Sequence, residues 1–295
     1  MRDPELLAEI HVHNELGEGV IWDSRRRAAW WTDILGRRIY RYAPATGRLD
    51  EWPTPERLSC FATVADRDDL IAGFESGFAF FDPGSGRVDW IARVEDDNPA
   101  TRLNDGRADR QGRFWAGTMV EHRTGDAVPG ALYCLDRDRR MSRHVDELAI
   151  SNGLCWSPDS AVMYHTDTPT GRIDRYAFDA ASGIPGNRST FATADPGCWP
   201  DGSTVDAEGF VWNAQWGGSR VIRYSPSGEP ALVVPVPVSQ PSCVAFGGDA
   251  MNLLFVTSAR QDLDTDELAA QPGAGNLFIY ETEFVGLADC EYAPR

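Results

Sequence analysis

The 295-residue chain contains no lysine; all 28 of its basic residues are arginine. Schiff-base catalysis and the lysine of a phosphate-binding loop are thereby excluded. No run of eighteen apolar residues occurs, so no membrane-spanning helix and no membrane partner are expected. The N-terminal stretch "MRDPELLAEIHVHNE" turns acidic at once and lacks the apolar centre of a secretory signal. Six cysteines, at 60, 134, 155, 198, 243 and 290, are scattered without a Cys-x-x-Cys pair. That pattern gives no support to a cysteine-built zinc site and predicts free, mostly buried thiols in a reducing cytoplasm. Positive charge is scarce: 28 basic residues face 45 acidic ones, for a net charge of −17. Nucleic acid needs clustered positive charge and is not an expected partner; the acid serves solubility. Helical periodicity is nearly absent as well, "TDELAAQ" near 265 being the best short candidate.

What the chain does have is a repeat. Six segments share one shape: a small or polar turn, a short apolar strand, a tight turn, then a second strand. They begin "GEGVIWD" at 17, "LSCFATV" at 58, "NDGRADR" at 104, "SNGLCWS" at 151, "PDGSTVD" at 200 and "PSCVAFG" at 241. Each is followed by a further strand carrying Arg, Tyr or Phe, as in "SRVIRYSPSG" from 219. Short strands in sets of about four, separated by turn residues, describe the blades of a β-propeller. The expected fold is all-β, a six-bladed β-propeller, with residues 1–295 forming one domain. The tail after Ser242 is long for one blade. "LLAEIHV" near the N-terminus is therefore expected to pair with residues near 275–292 and close the ring, since an open ring leaves sheet edges bare.

Aligned on the entry to the inner strand, the repeats set Glu18, Ser59, Asp105, Asn152, Asp201 and Ser242 at equivalent positions, 41–49 residues apart. Inner strands line a propeller's central channel, so these residues form a ring at one end of it. Four of the six carry carboxylate or carboxamide oxygens. Carboxylates crowded together raise each other's pKa, and a divalent cation relieves that repulsion. Oxygen-only ligands favour Ca²⁺, Mg²⁺ or Mn²⁺, with Zn²⁺ also admissible. The other reading of the same residues is that they cap turns at strand entries.

"LGEGVIW", "RLNDGRADRQGRFWAGTM", "ISNGLCWSPD", "PDGSTVDAEGFVW" and "GGSRVIRYSPSG" occur in this order between residues 16 and 228, within a resemblance that runs from about residue 14 to 283. The set resembles the regucalcin/gluconolactonase family of sugar lactonases. The resemblance implies a six-bladed propeller holding one divalent cation, with Glu18, Asn152 and Asp201 as ligands and Arg102 and Asn104 contacting substrate. It does not make Asp105 a ligand; bracing Arg102 or a turn is the role expected of it. Where the family often places a substrate-reaching carboxylate, "GTMVEH" offers Glu121 and His122, and both stand as substrate-binding candidates.

The expected activity is metal-dependent hydrolysis of an aldonolactone, with Asp201 as acid/base. Two rivals are a phosphotriesterase-type metal hydrolase and a non-enzymatic calcium-binding propeller. The partner is a small-molecule lactone; oligomeric state is left open. Of the remaining histidines, His165 is expected as a half-buried strand residue. Trp199, two residues before Asp201, is placed either to stack on the C–H face of a sugar or, like most of the ten tryptophans, to pack structurally.

Overall fold

A computed structural model describes residues 3–121 and 128–295. Its strands form six four-stranded antiparallel sheets, arranged as a β-propeller. The sheets follow the six repeats. The inner strands are Gly17–Asp23, Leu58–Thr63, Thr101–Ala108, Ser151–Trp156, Trp199–Val205 and Pro241–Gly247. The sixth blade is completed from the other end of the chain, because Glu5–Ile10 pairs antiparallel with Leu277–Glu281. The ring closes as expected. One short helix, Thr265–Ala270, occupies the "TDELAAQ" segment, its N-terminus capped by Asp264. Among the described residues no helix is long and apolar enough to cross a membrane.

Burial falls from the axis outward, and composition follows it. "LSCFAT" and "SNGLCW" are buried at every position, whereas the outermost strand "RLDEWP" (Arg48–Pro53) is mostly exposed. Between blades the core is aromatic: Trp31, Trp115 and Trp212 are fully buried. A recurring acidic turn joins inner and second strands. Asp109 accepts from the backbone N–H of Gln111 and Arg113 with Oδ1, and from Trp115 Nε1 with Oδ2. Asp206 does the same with Glu208, Phe210 and Trp212. One carboxylate thus fixes a turn and orients the large side chain six residues on.

The tail beyond the last strand forms no further blade. It crosses the channel at the end away from the ring. Val285 and Gly286 bond to Ala207 and Met251, Tyr292 bridges to Val64, and Ala293 bonds to Gly112. Asp289 accepts from Trp22 N at 2.8 Å and pairs with the buried Arg107.

All six inner strands break register at the same place, with shifts between Glu18/Ile21, Leu58/Cys60, Leu103/Gly106, Asn152/Cys155, Pro200/Ser203 and Pro241/Val244. A bulge re-aims the side chain beside it. Here it lies at the ring residue. In blades one and four the turn is made by a left-handed glycine, Gly19 at φ 61° and Gly153 at φ 66°. The Asn-Gly step of "SNGLCW" is therefore a bulge inside a buried strand and not a loop. A Cβ on Gly153 would lie 3.0 Å from the Asp201 carbonyl oxygen. Gly153→Ala should lose at least about 1–2 kcal/mol of unfolding free energy, the usual worth of a left-handed non-glycine residue. Urea denaturation beside the wild type measures it; an unchanged stability would mean the bulge does not need glycine.

Candidate active site

The ring end of the channel opens into a cavity of about 410 Å³. Glu18, Arg102, Asn104, Glu121, Asn152 and Asp201 all line it, together with Thr168, Trp199 and Trp216. Of the residues singled out from sequence, His122 alone lies outside the described residues. Leu16, Leu35, Met119 and Ile150 add apolar wall around the polar floor. Trp199 stands at the rim, 42% exposed.

The six ring positions divide into two kinds. Glu18, Asn152 and Asp201 face the cavity. The others fasten neighbouring blades: Ser59 Oγ donates to Leu103 O at 2.7 Å, and Ser242 Oγ bonds to Gly17 O. Asp105 belongs to this second group. Its Oδ2 accepts from Leu154 N at 3.1 Å, and backbone N–H groups of Gly106 and Gly153 also favour its charge. Asp105 does not brace Arg102; it holds the Asn-Gly bulge of the next blade.

Arg102 is occupied elsewhere. Its Nη1 donates to Leu103 O and to Asn104 Oδ1, both at 2.9 Å, and its Nε donates to Glu121 Oε1 at 3.2 Å. Glu121 is clamped from the other side by Arg57, a residue the sequence did not single out, whose Nε donates to Glu75. Burial works against the Glu121 charge, but hydrogen bonds from Arg57 and the charges of Arg102 and Arg57 hold its carboxyl below the ordinary value. It is an ionised acceptor at the cavity wall. Asn104 Nδ2 donates to Ser151 O and to Asn152 Oδ1, each at 3.0 Å. His165, expected half-buried, is fully buried. Its Nε2 lies 2.8 Å from Ser151 Oγ, and burial with the charge of Arg188 lowers its pKa to about 3, so the ring stays neutral.

Glu18 and Asp201 are the unbalanced charges. Burial and the Asp105 charge push Glu18 up to about 8, against a bond from Gly19 N. Burial, then Glu18, then Asp105 push Asp201 well above the carboxylate range. Among the described residues Asp201 Oδ1 is buried without a hydrogen-bond partner. No three His, Cys, Asp or Glu side chains among the described residues gather closely enough to hold a metal alone. A metal centre here would draw on two carboxylates and the Asn152 carboxamide. An unpartnered buried oxygen and two mutually repelling acids fit a hard divalent cation.

A raised carboxyl pKa carries a sign. Between the unfolded value near 4.5 and about 8, the folded protein binds more protons at Glu18 than the unfolded chain. Stability should therefore fall as pH rises through that window. With chelator present, melting temperature should drop from pH 5 to pH 8, and Glu18→Gln should flatten that slope. A wild-type slope that the variant leaves intact would reject the assignment.

Residues 16–260 match the SMP-30/Gluconolactonase/LRE-like region family. The chain is 41% identical to L-arabinolactonase of Azospirillum brasilense, covering 98% of this chain and 95% of that protein. It is 36% identical to 6-deoxy-6-sulfogluconolactonase of Pseudomonas putida, over 94% and 95% of the two chains. Among solved structures, the calcium-binding protein regucalcin of Agrobacterium tumefaciens superposes with a TM-score of 0.91 at 32% identity, covering 98% of each chain. An ordered set of motifs, six bulged blades and full-length similarity converge: the chain belongs to the SMP-30/gluconolactonase/LRE-like family.

Proposed function

We propose that the protein is a carboxylic ester hydrolase that opens a sugar lactone to its hydroxy acid, with one divalent cation held by Glu18, Asn152 and Asp201. The observation that carries this reading is Asp201, buried beside Glu18 with an unpartnered Oδ1 on the floor of an open cavity. The names of the two lactonase relatives favour the ester class, and that of the calcium-binding regucalcin favours Ca²⁺ among the candidates Ca²⁺, Mn²⁺, Mg²⁺ and Zn²⁺. When bound, the cation supplies positive charge that polarises an ester carbonyl and stabilises developing negative charge.

The chain's own residues do the rest. Arg102 presents guanidinium donors to lactone hydroxyls; Asn104, whose Nδ2 protons go to Ser151 O and Asn152 Oδ1, presents the second lone pair of its Oδ1, and ionised Glu121 presents a further acceptor. Trp199 covers the apolar face of the sugar ring. Asp201 takes the proton of the attacking water and returns it to the ring oxygen as the ester C–O bond breaks, leaving one carboxylic acid and one alcohol. The net charge of −17 and the six free cysteines support a cytoplasmic protein without a nucleic-acid partner.

The likeness to a calcium-binding regucalcin supports a second reading, a calcium-binding propeller without turnover. One experiment separates the two. Chelator-treated protein, reloaded with single cations, is assayed for proton release from aldonolactones, with an aliphatic lactone and a phosphotriester as comparators. Sugar-lactone hydrolysis restored by one or more cations is expected. Cation binding without turnover would establish the second reading, and an unchanged rate in the stripped protein would end the metal-dependent one.

With cation saturating, Asp201→Asn should lose about 10²–10⁴-fold in kcat, the usual worth of a positioned acid/base. Asn152→Asp should keep its cation and lose less. A fully loaded Asp201→Asn protein with normal kcat would leave Asp201 a ligand only. Arg102→Ala should raise KM for sugar lactones more than for aliphatic ones, which offer no hydroxyl partners. Equal effects on both would remove Arg102 from substrate recognition.

A further inference from the structure

A carboxamide presents either an oxygen or an NH₂, depending on a half-turn about its last bond, and only the oxygen binds a cation. The reading above therefore requires something to set the Asn152 amide. A chain of hydrogen bonds across three blades does so, and its polarity is forced from both ends.

At one end stands Arg102, whose guanidinium can only donate. Its Nη1 donates to Asn104 Oδ1 at 2.9 Å, which turns Asn104 Nδ2 toward Ser151 O and Asn152 Oδ1. Asn152 Nδ2 consequently lies on the other side and donates to Thr168 Oγ1 at 2.8 Å. At the far end, the single Thr168 hydroxyl proton goes to Pro200 O at 3.0 Å. A carbonyl only accepts, so toward Asn152 the hydroxyl has only a lone pair to offer. Pro200 is the residue before Asp201. Thr168 thus joins the strand carrying Asn152 to the strand carrying Asp201. One lone pair of Asn152 Oδ1 takes Asn104, and the second stays available.

We propose that Thr168 is a positioning residue. Its hydroxyl, oriented by the Pro200 carbonyl, locks the Asn152 amide with its oxygen available to a cation and ties it to the Asp201 strand. The inference rests on the cation reading above and names a residue that neither the motifs nor the ring contains. Partners that orient metal ligands in this way commonly carry about 10–100-fold of affinity or activity.

The test uses Thr168→Val, which removes donor and acceptor at nearly constant shape, and Thr168→Ser, which keeps both. Each full-length protein, stripped by chelator, is titrated with Mn²⁺ by calorimetry, and kcat and KM for a sugar lactone are measured at saturating Mn²⁺. Thr168→Val should bind Mn²⁺ about 10–100-fold more weakly, and Thr168→Ser should resemble the wild type. Asn152→Asp supplies the decisive cross. A carboxylate has oxygen on both sides and needs no orienting, so Thr168→Val should cost little Mn²⁺ affinity in that background. Thr168→Ala carries the same expectations and substitutes for the valine variant if that fails to fold. Mn²⁺ bound by Thr168→Val as tightly as by the wild type overturns the proposal alone. So does an equal loss in the Asn152→Asp background, because a merely structural role would be felt in both. A wild-type protein that binds no divalent cation overturns the parent reading, and this one with it.

Discussion

Three carboxylates share a buried channel, and the repulsion among them organises the open end of this molecule. Each is treated differently. Burial raises the Asp105 carboxyl above its ordinary value, but the charge of Arg107 and backbone N–H groups of its own and the next blade offset part of that cost. Glu18 has one such bond, from Gly19 N, and Asp201 Oδ1 has no partner among the described residues. Compensation thus runs out at the two acids that face the cavity. A protein gains nothing in stability from leaving acids in that condition. The imbalance is the physical content of the candidate site, and the cation proposed there is the simplest group that would complete it.

Below and above that pair, charge is closed off. Arg107, two residues beyond Asp105 on the same strand, reaches across the channel to Asp289 of the C-terminal segment and to the Val244 carbonyl. The tail that the repeat count left over therefore delivers a counter-charge to the middle of the channel while fastening blades at its closed end. On the open side Arg102 is matched by Glu121, and Glu121 by Arg57. These pairs leave the cavity wall rich in fixed, oriented hydrogen-bonding groups and poor in free charge, a surface suited to hydroxyls more than to ions.

Rigidity comes from the bulges. Each inner strand breaks register where its ring residue sits, and the ring residues that do not face the cavity bond to the next blade. The same structural position faces the cavity in blades one, four and five and fastens neighbouring blades in two, three and six. Ser59, Ser242 and Asp105 can fasten because their oxygens reach a neighbouring backbone group, whereas Glu18, Asn152 and Asp201 face the cavity.

The blade count, the closure by the N-terminal strand and the six ring positions were all legible in the sequence. Each depends on local signals, the period of apolar residues and the turn chemistry of Asp-Gly and Asn-Gly steps, which recur from blade to blade. The pooling of Glu18, Arg102, Asn104, Glu121, Asn152 and Asp201 in one cavity followed from the same alignment and from motif resemblance. Other features had no local signal. Asp105 was expected to brace Arg102 or a turn; of the two it braces a turn, but one in the next blade, the Gly153–Leu154 step 49 residues on in the chain. Arg57 meets Glu121 across 64 residues, and Thr168 meets Pro200 across 32. An arginine in "PERLSC" or a threonine in "DTPTG" looks like any other surface residue until blades two and three, or four and five, are set side by side. Repetition along the chain determined where the candidate oxygens stand. Only the packing of one blade against the next decided which of them are satisfied, since a hydrogen-bond partner is a fact of distance in space and not of spacing in sequence.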